Sequence, residues 1–296
     1  MNLKGLFAGE NRFKKILLTA FIAVASFVLC STATILLFNI FSINNKSLLA
    51  MKAMQFANSV GLFIIPPLLT AYLLSRTPKK FLSLQKTLSL RAIFLTIVFM
   101  ILAVPFINYI AEWNANIKLP GNFSALEQWM RNIEDAATAF TEKFMQTRTF
   151  GGLLSNIFLM AIIPAMGEEL FFRGLLQTRL SHRIKNAHAA VWITAIIFSA
   201  FHLQFYGFIP RLLLGAYLGY LLVWSGSIWL PVLAHFINNA AAVVAYFLFQ
   251  NGHIALDPDK IGVDVPILII IVNAFVLGVI VFLQKQKKAL FLQKKF

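Results

Sequence analysis

The sequence predicts an all-α protein: a polytopic transmembrane helical bundle with about eight spanning helices. Three observations carry this. Of 296 residues, 59% are hydrophobic and only 12% are charged, whereas a soluble domain has roughly 45–50% apolar and 25% charged residues. The apolar residues gather into runs near the roughly 20 residues that a helix needs to cross a bilayer. The basic residues collect in alternate connections between those runs.

The runs are 16–41, 56–74, 92–110, 150–168, 187–206, 209–224, 229–249 and 265–283. Lys14 and Lys15 precede the first. That run is well beyond a signal-peptide core of roughly 7–15 residues, so it is expected to remain as a spanning helix. Cys30, the one cysteine, lies inside it, which excludes a disulfide framework. The sixth run is short, and Gly207 and Pro210 interrupt its approach, so a re-entrant piece is expected there. Between the third and fourth runs, loop 111–149 has a helix of its own. Ser124 and Glu127 predict a capping box. Leu126, Trp129, Met130, Ile133, Ala137, Phe140 and Phe144 then recur at helical spacing, a stripe suited to a lid or to the lipid interface. The chain divides into N-terminal spans with this outer helix (1–149), a motif-bearing core (150–250), and a last span with a basic tail (251–296).

Of the 26 basic residues, 18 fall in the two terminal segments and two inner connections: Lys4 to Lys15, Arg76 to Arg91, Arg173 to Lys185, and Lys285 to Lys295. Positive charge marks the cytoplasmic side, so both termini are expected there, in a cytoplasmic membrane of prokaryotic type. A net charge of +15 invites a nucleic-acid reading. The bases sit at the ends of apolar runs and form no folded basic face, so no nucleic-acid partner is expected.

Ionisable groups inside spans are costly and therefore point to function. Glu168 and Glu169 directly follow an apolar run. On a helix Glu169 pairs with Arg173 at i,i+4, while Glu168 points about 100° away and is left free as a general base. His202 ends the stretch Phe198-Ser199-Ala200-Phe201-His202 inside the fifth run. His235 and Asn239 share a face of a later helix. Helices drawn straight from the basic turn near Lys185 bring Glu168 and His202 to one level, each 17 residues from it. No His-Glu-x-x-His or Gly-x-Ser-x-Gly occurs, and all four aspartates fall in predicted outer loops. Among hydrolytic layouts, that leaves glutamate with histidine.

At these residues the sequence resembles the CPBP family of intramembrane proteases, also called the CAAX protease and bacteriocin-processing (Abi) family. The pattern Glu-Glu-x-x-x-Arg, Phe-x-x-x-His, His-x-x-x-Asn is met by Glu168, Glu169 and Arg173, by Phe198 and His202, and by His235 and Asn239. The resemblance implies a peptidase acting on a membrane-associated peptide or protein, with membrane lipid as its surroundings. It implies that Glu168 and His202 activate water, that His235 and Asn239 stabilise the oxyanion, and that Glu169, Arg173 and Phe198 support them. Family naming also admits a metalloprotease, with zinc on Glu168, His202 and His235 and one position left for water. Against zinc, a metal-bound Glu168 could not serve as the base. Metal-free catalysis is favoured and zinc stays open. The rival class is a non-catalytic membrane scaffold, an immunity protein or a small transporter.

Overall fold

The computed structural model describes residues 3–285, all in helices and connections. The basic residues Lys287, Lys288, Lys294 and Lys295 lie outside them. We name nine helices: α1 (Arg12–Ile40), α2 (Leu48–Leu74), α3 (Leu90–Ala115), α4 (Ser124–Met145), α5 (Phe150–Ile184), α6 (Ala187–Phe201), α7 (Phe208–Ser225), α8 (Trp229–Gln250) and α9 (Ile267–Gln284).

Seven of these, all but α4 and α6, belong to segments long and apolar enough to cross a membrane. The chain is an integral membrane protein of the all-α polytopic class. Against the eight expected spans, seven segments qualify, and the fifth run forms the shorter apolar helix α6. The short pass is α6, not the sixth run. Its 15 residues rise about 22 Å, less than the hydrocarbon thickness of about 30 Å. It stops because His202 ends the helix and Leu203 takes a left-handed φ of 55°. The irregular stretch then runs from His202 through a single 3-10 turn, Phe205–Gly207, into α7.

Most helix starts follow from local chemistry. Asn11, Ser47, Ser89, Thr149 and Asn186 each accept a backbone N–H from the first turn of the next helix. The capping box at Ser124 does not form. The helix is entered through a 3-10 turn, Gly121–Phe123. Glu127 is drawn instead to the Leu119 N–H at 3.0 Å and to Arg131 at 2.8 Å.

Where α3, α7 and α8 meet, Met100, Tyr217, Leu218, Leu221, Leu230 and Ala234 form an apolar core. Large apolar side chains such as Phe21, Leu29, Phe94 and Phe275 stay exposed on the outer helices, as lipid-facing surfaces do. The outer helix α4 covers one end of the bundle. Met130 and Phe144 point inward, whereas Leu126, Trp129 and Phe140 remain exposed. Glu134 accepts the Tyr206 N–H at 3.2 Å, and the Arg131 guanidinium lies 4.3 Å over the Tyr206 ring. The stripe is thus split, and α4 rests on the irregular segment that follows His202.

Two helices depart from α geometry where proline follows. Residues Val60–Ile64 of α2 and Phe158–Ile162 of α5 are π-helical, ahead of Pro66, Pro67 and Pro164. A third π segment, Glu169–Gln177, follows in α5. Such turns are rare and are frequent at functional sites.

Candidate intramembrane active site

The third π segment arms one wall of the site. Glu169 and Arg173 are both 0% exposed and pair at 2.8 Å, as i,i+4 spacing predicts. A second Arg173 nitrogen donates to the Gly215 carbonyl at 3.0 Å. One turn on, Gln177 donates to the Gly219 carbonyl at 3.0 Å. The two glycines are what let α7 come this close. A Cβ at Gly215 would stand 3.1 Å from the Phe198 ring, and one at Gly219 only 2.7 Å from Gln177 Oε1. Gly215-x-x-x-Gly219, which as sequence suggests only helix packing, exposes two backbone acceptors to two buried polar side chains.

Glu169 has a second partner. Its Oε1 lies 2.8 Å from His235 Nδ1 on α8. When the carboxylate is ionised it only accepts, so Nδ1 carries the proton and the ring is held with Nε2 turned outward. That Nε2 stands 3.9 Å from Glu168 Oε2. His202 is fixed in the same sense. Its Nδ1 lies 2.9 Å from the Phe198 carbonyl, which can only accept, so in the neutral ring Nε2 keeps its lone pair. His202 is within electrostatic reach of both Glu168 and His235.

The two glutamates therefore differ sharply. Glu169 is sealed, with its Oε1 paired to both Arg173 and His235 and its Oε2 without a hydrogen-bond partner among the described residues. Glu168 keeps 14% side-chain exposure, and its Oε2 has no hydrogen-bond partner among the described residues. Phe198 ties the group together: its ring packs edge-on to His202 (centroids 5.1 Å apart) and to His235 (6.0 Å), and it takes the Arg173 guanidinium at 4.5 Å. Phe63, Phe172 and Phe201 close the next layer and keep the surroundings dry.

Asn239 is anchored by a feature the motif does not announce. Its Nδ2 donates to the Met160 carbonyl at 3.0 Å, and its Oδ1 accepts from Asn238. Met160 lies in the π segment Phe158–Ile162, just ahead of Pro164, which has no N–H to give to the preceding turn. Asn239 supplies a side-chain donor to that carbonyl, and its amide keeps a second N–H. Pro164, four residues after Met160, was the available sequence signal. A further support, Asn114 on α3, holds the segment after His202 by donating to the Phe205 carbonyl at 3.1 Å and accepting the Ile209 N–H at 2.8 Å. Nothing in its own spacing marks it.

Six of the seven motif residues are thus joined by contacts across α5, α6 and α8, while Asn239, one turn beyond His235 on α8, reaches the α5 backbone at Met160. As a metal site the donor types suit zinc, since Glu168 Oε2 is orphaned and both ring Nε2 atoms are unpartnered by hydrogen bonds. Yet among the described residues no three His, Cys, Asp or Glu side chains stand together closely enough to hold a metal ion. The arrangement as it stands does not fit one.

The fold and site define a polytopic membrane protein with a buried Glu/His/Asn constellation. Residues 150–241 match the family model described as Type II CAAX prenyl endopeptidase Rce1-like, the span that carries all three motifs. The chain is similar to "Uncharacterized protein YpbD" of Bacillus subtilis (strain 168), with 31% identity over 29% of this chain and 43% of that protein. The chain therefore matches less than half the length of that relative. No solved structure matches. The resemblance to the CAAX protease family stands over this core.

Proposed function

We propose that the protein is an intramembrane endopeptidase that hydrolyses a peptide bond of a membrane-associated peptide or protein. The observation that carries this reading is the division of labour between adjacent glutamates, one buried to position a histidine and the other left unpartnered beside it. The 3.9 Å between Glu168 Oε2 and His235 Nε2 is too long for a hydrogen bond and suits one water contacting both groups. Glu168, with His202 beside it, takes a proton from the attacking water. The water oxygen adds to the scissile carbonyl carbon. The free N–H of Asn239 and, in its protonated form, Nε2–H of His235 face the resulting oxyanion, in a water-poor setting where fixed donors count most. Collapse expels the amine, which takes the proton back from Glu168. Glu169 balances the charge on His235, and Arg173 in turn holds Glu169.

The coarse level of this reading, a peptidase, has the support of the family model. The glutamate mechanism rests on the geometry. The test is Glu168→Gln, which keeps shape and removes the base. Cleavage of a membrane-tethered reporter peptide should fall by about 10²–10⁴ with the unfolding midpoint unchanged. Full activity in Glu168→Gln would sink the assignment.

A further inference from the structure

A cavity of about 450 Å³ opens between the start of α1 and the later turns of α5. Its size falls in the range of sites that hold small ligands, roughly 300–1,000 Å³. Four cations ring it: Arg12 and Lys15 on α1, Arg179 and Arg183 on α5. Its apolar lining includes Phe171 and Leu176. Among the described residues none of the four cations pairs with a carboxylate. Glu10, the acid nearest in sequence, is taken by Lys14 at 3.0 Å. Lys15 reaches only a backbone carbonyl, that of Ala8, at 2.6 Å. Arg179 is held in place, its guanidinium 3.7 Å over the Phe81 ring. A cavity lined by four cations without a carboxylate partner among the described residues and by apolar side chains suits one chemical class, an amphiphile with an anionic head.

We propose that this cavity binds a single anionic phospholipid, its phosphate among Arg12, Arg179 and Arg183 and the upper part of an acyl chain along Phe171 and Leu176. Charge complementarity selects an acidic lipid over a zwitterionic one, because clustered bases at a helix end attract anionic headgroups. The location gives the lipid a consequence. Phe171 and Leu176 belong to the π segment that also carries Glu169, Arg173 and Gln177. An occupied cavity braces that segment from the side away from Gly215 and Gly219.

The experiment is native mass spectrometry of delipidated full-length protein titrated with phosphatidylglycerol or phosphatidylcholine, beside thermal unfolding in the same detergent. Wild type should retain one phosphatidylglycerol, bind phosphatidylcholine at least tenfold more weakly, and unfold at a higher temperature with the anionic lipid. Arg12→Gln/Arg179→Gln/Arg183→Gln should lose affinity by about fivefold per cation, roughly a hundredfold in all. Ala20→Trp, which keeps every charge and fills the cavity from α1, should also lose retention, so the test does not depend on the triple variant folding. Equal retention of both lipids by wild type would overturn the proposal. So would undiminished retention in Ala20→Trp, or stabilisation by inorganic phosphate alone equal to that by the lipid.

Discussion

Replacing Arg173 by methionine tests the support of the site directly. The guanidinium is fully buried and satisfies three groups at once: Glu169 at 2.8 Å, the Gly215 carbonyl at 3.0 Å and the face of Phe198 at 4.5 Å. Arg173→Met leaves Glu169 ionised in a dry interior with only His235 beside it. Removing one partner of a buried ion pair costs about 3–5 kcal/mol, and Glu169→Gln should cost a similar amount by stranding Arg173. The double variant, Glu169→Gln/Arg173→Met, removes both charges, while the introduced amide oxygen can still accept from His235 Nδ1. Replacing a buried pair by neutral groups of similar volume is often close to neutral, so the double variant should lie within about 2 kcal/mol of wild type. Its activity should stay low, because the charge facing His235 is gone. Denaturant unfolding in micelles for all four proteins, with reporter cleavage in parallel, gives the cycle. If the two single losses simply add in the double variant, the residues are not coupled and Arg173 is not what secures Glu169.

Three further outcomes are expected. Hydrogen bonds from Arg131 and from the Leu119 N–H hold the Glu127 carboxyl below its ordinary value of 4.5. A carboxyl depressed on folding contributes stability above its unfolded value and loses it as pH falls through the folded one. Trp129 fluorescence should therefore report loosening of α4 only below the ordinary carboxylate range, and Glu127→Gln should remove that transition. Cysteines placed at Lys185 and Asp259 should label from opposite sides of sealed vesicles; labelling of both from one side would break the topology. Purified protein should keep its activity after exhaustive chelation and contain well under one zinc per chain, whereas activity lost to chelator and restored by stoichiometric zinc would replace the metal-free reading.

The spans and the motif residues were legible because both depend on local rules. Apolar length marks a span, and i,i+4 spacing put Glu169 against Arg173 and His235 on one face with Asn239. What could not be read depended on partners distant in sequence. Glu169 contacts His235 across 66 positions, and no spacing rule announces it. The carbonyls of Gly215 and Gly219 gain their roles only when α5 lies alongside. The end of α6 at His202 was hidden because Leu203 is apolar and continues the run, while its left-handed backbone is imposed by the turn into the Phe205–Gly207 segment. At Ser124 the local pattern was present and lost, because Glu127 had a stronger offer in Arg131 than the helix N-terminus could make.

The π geometry of Glu169–Gln177 has a consequence for how this site can be lost or altered. A π turn accommodates an extra residue relative to α-helical winding, so the direction of every side chain beyond it depends on how many residues the segment holds as well as on which they are. Deleting Phe172 would leave the composition nearly intact and the stretch free to wind as ordinary α-helix. It would also bring Arg173 from four residues after Glu169 to three, and take the Phe172 ring out of its contacts with Phe63, Phe198 and Phe201. The arrangement is sensitive to chain length in a way that substitution surveys do not sample. A single in-frame deletion here would silence the protein more thoroughly than most exchanges of side chain, with every motif residue still spelled out in the gene.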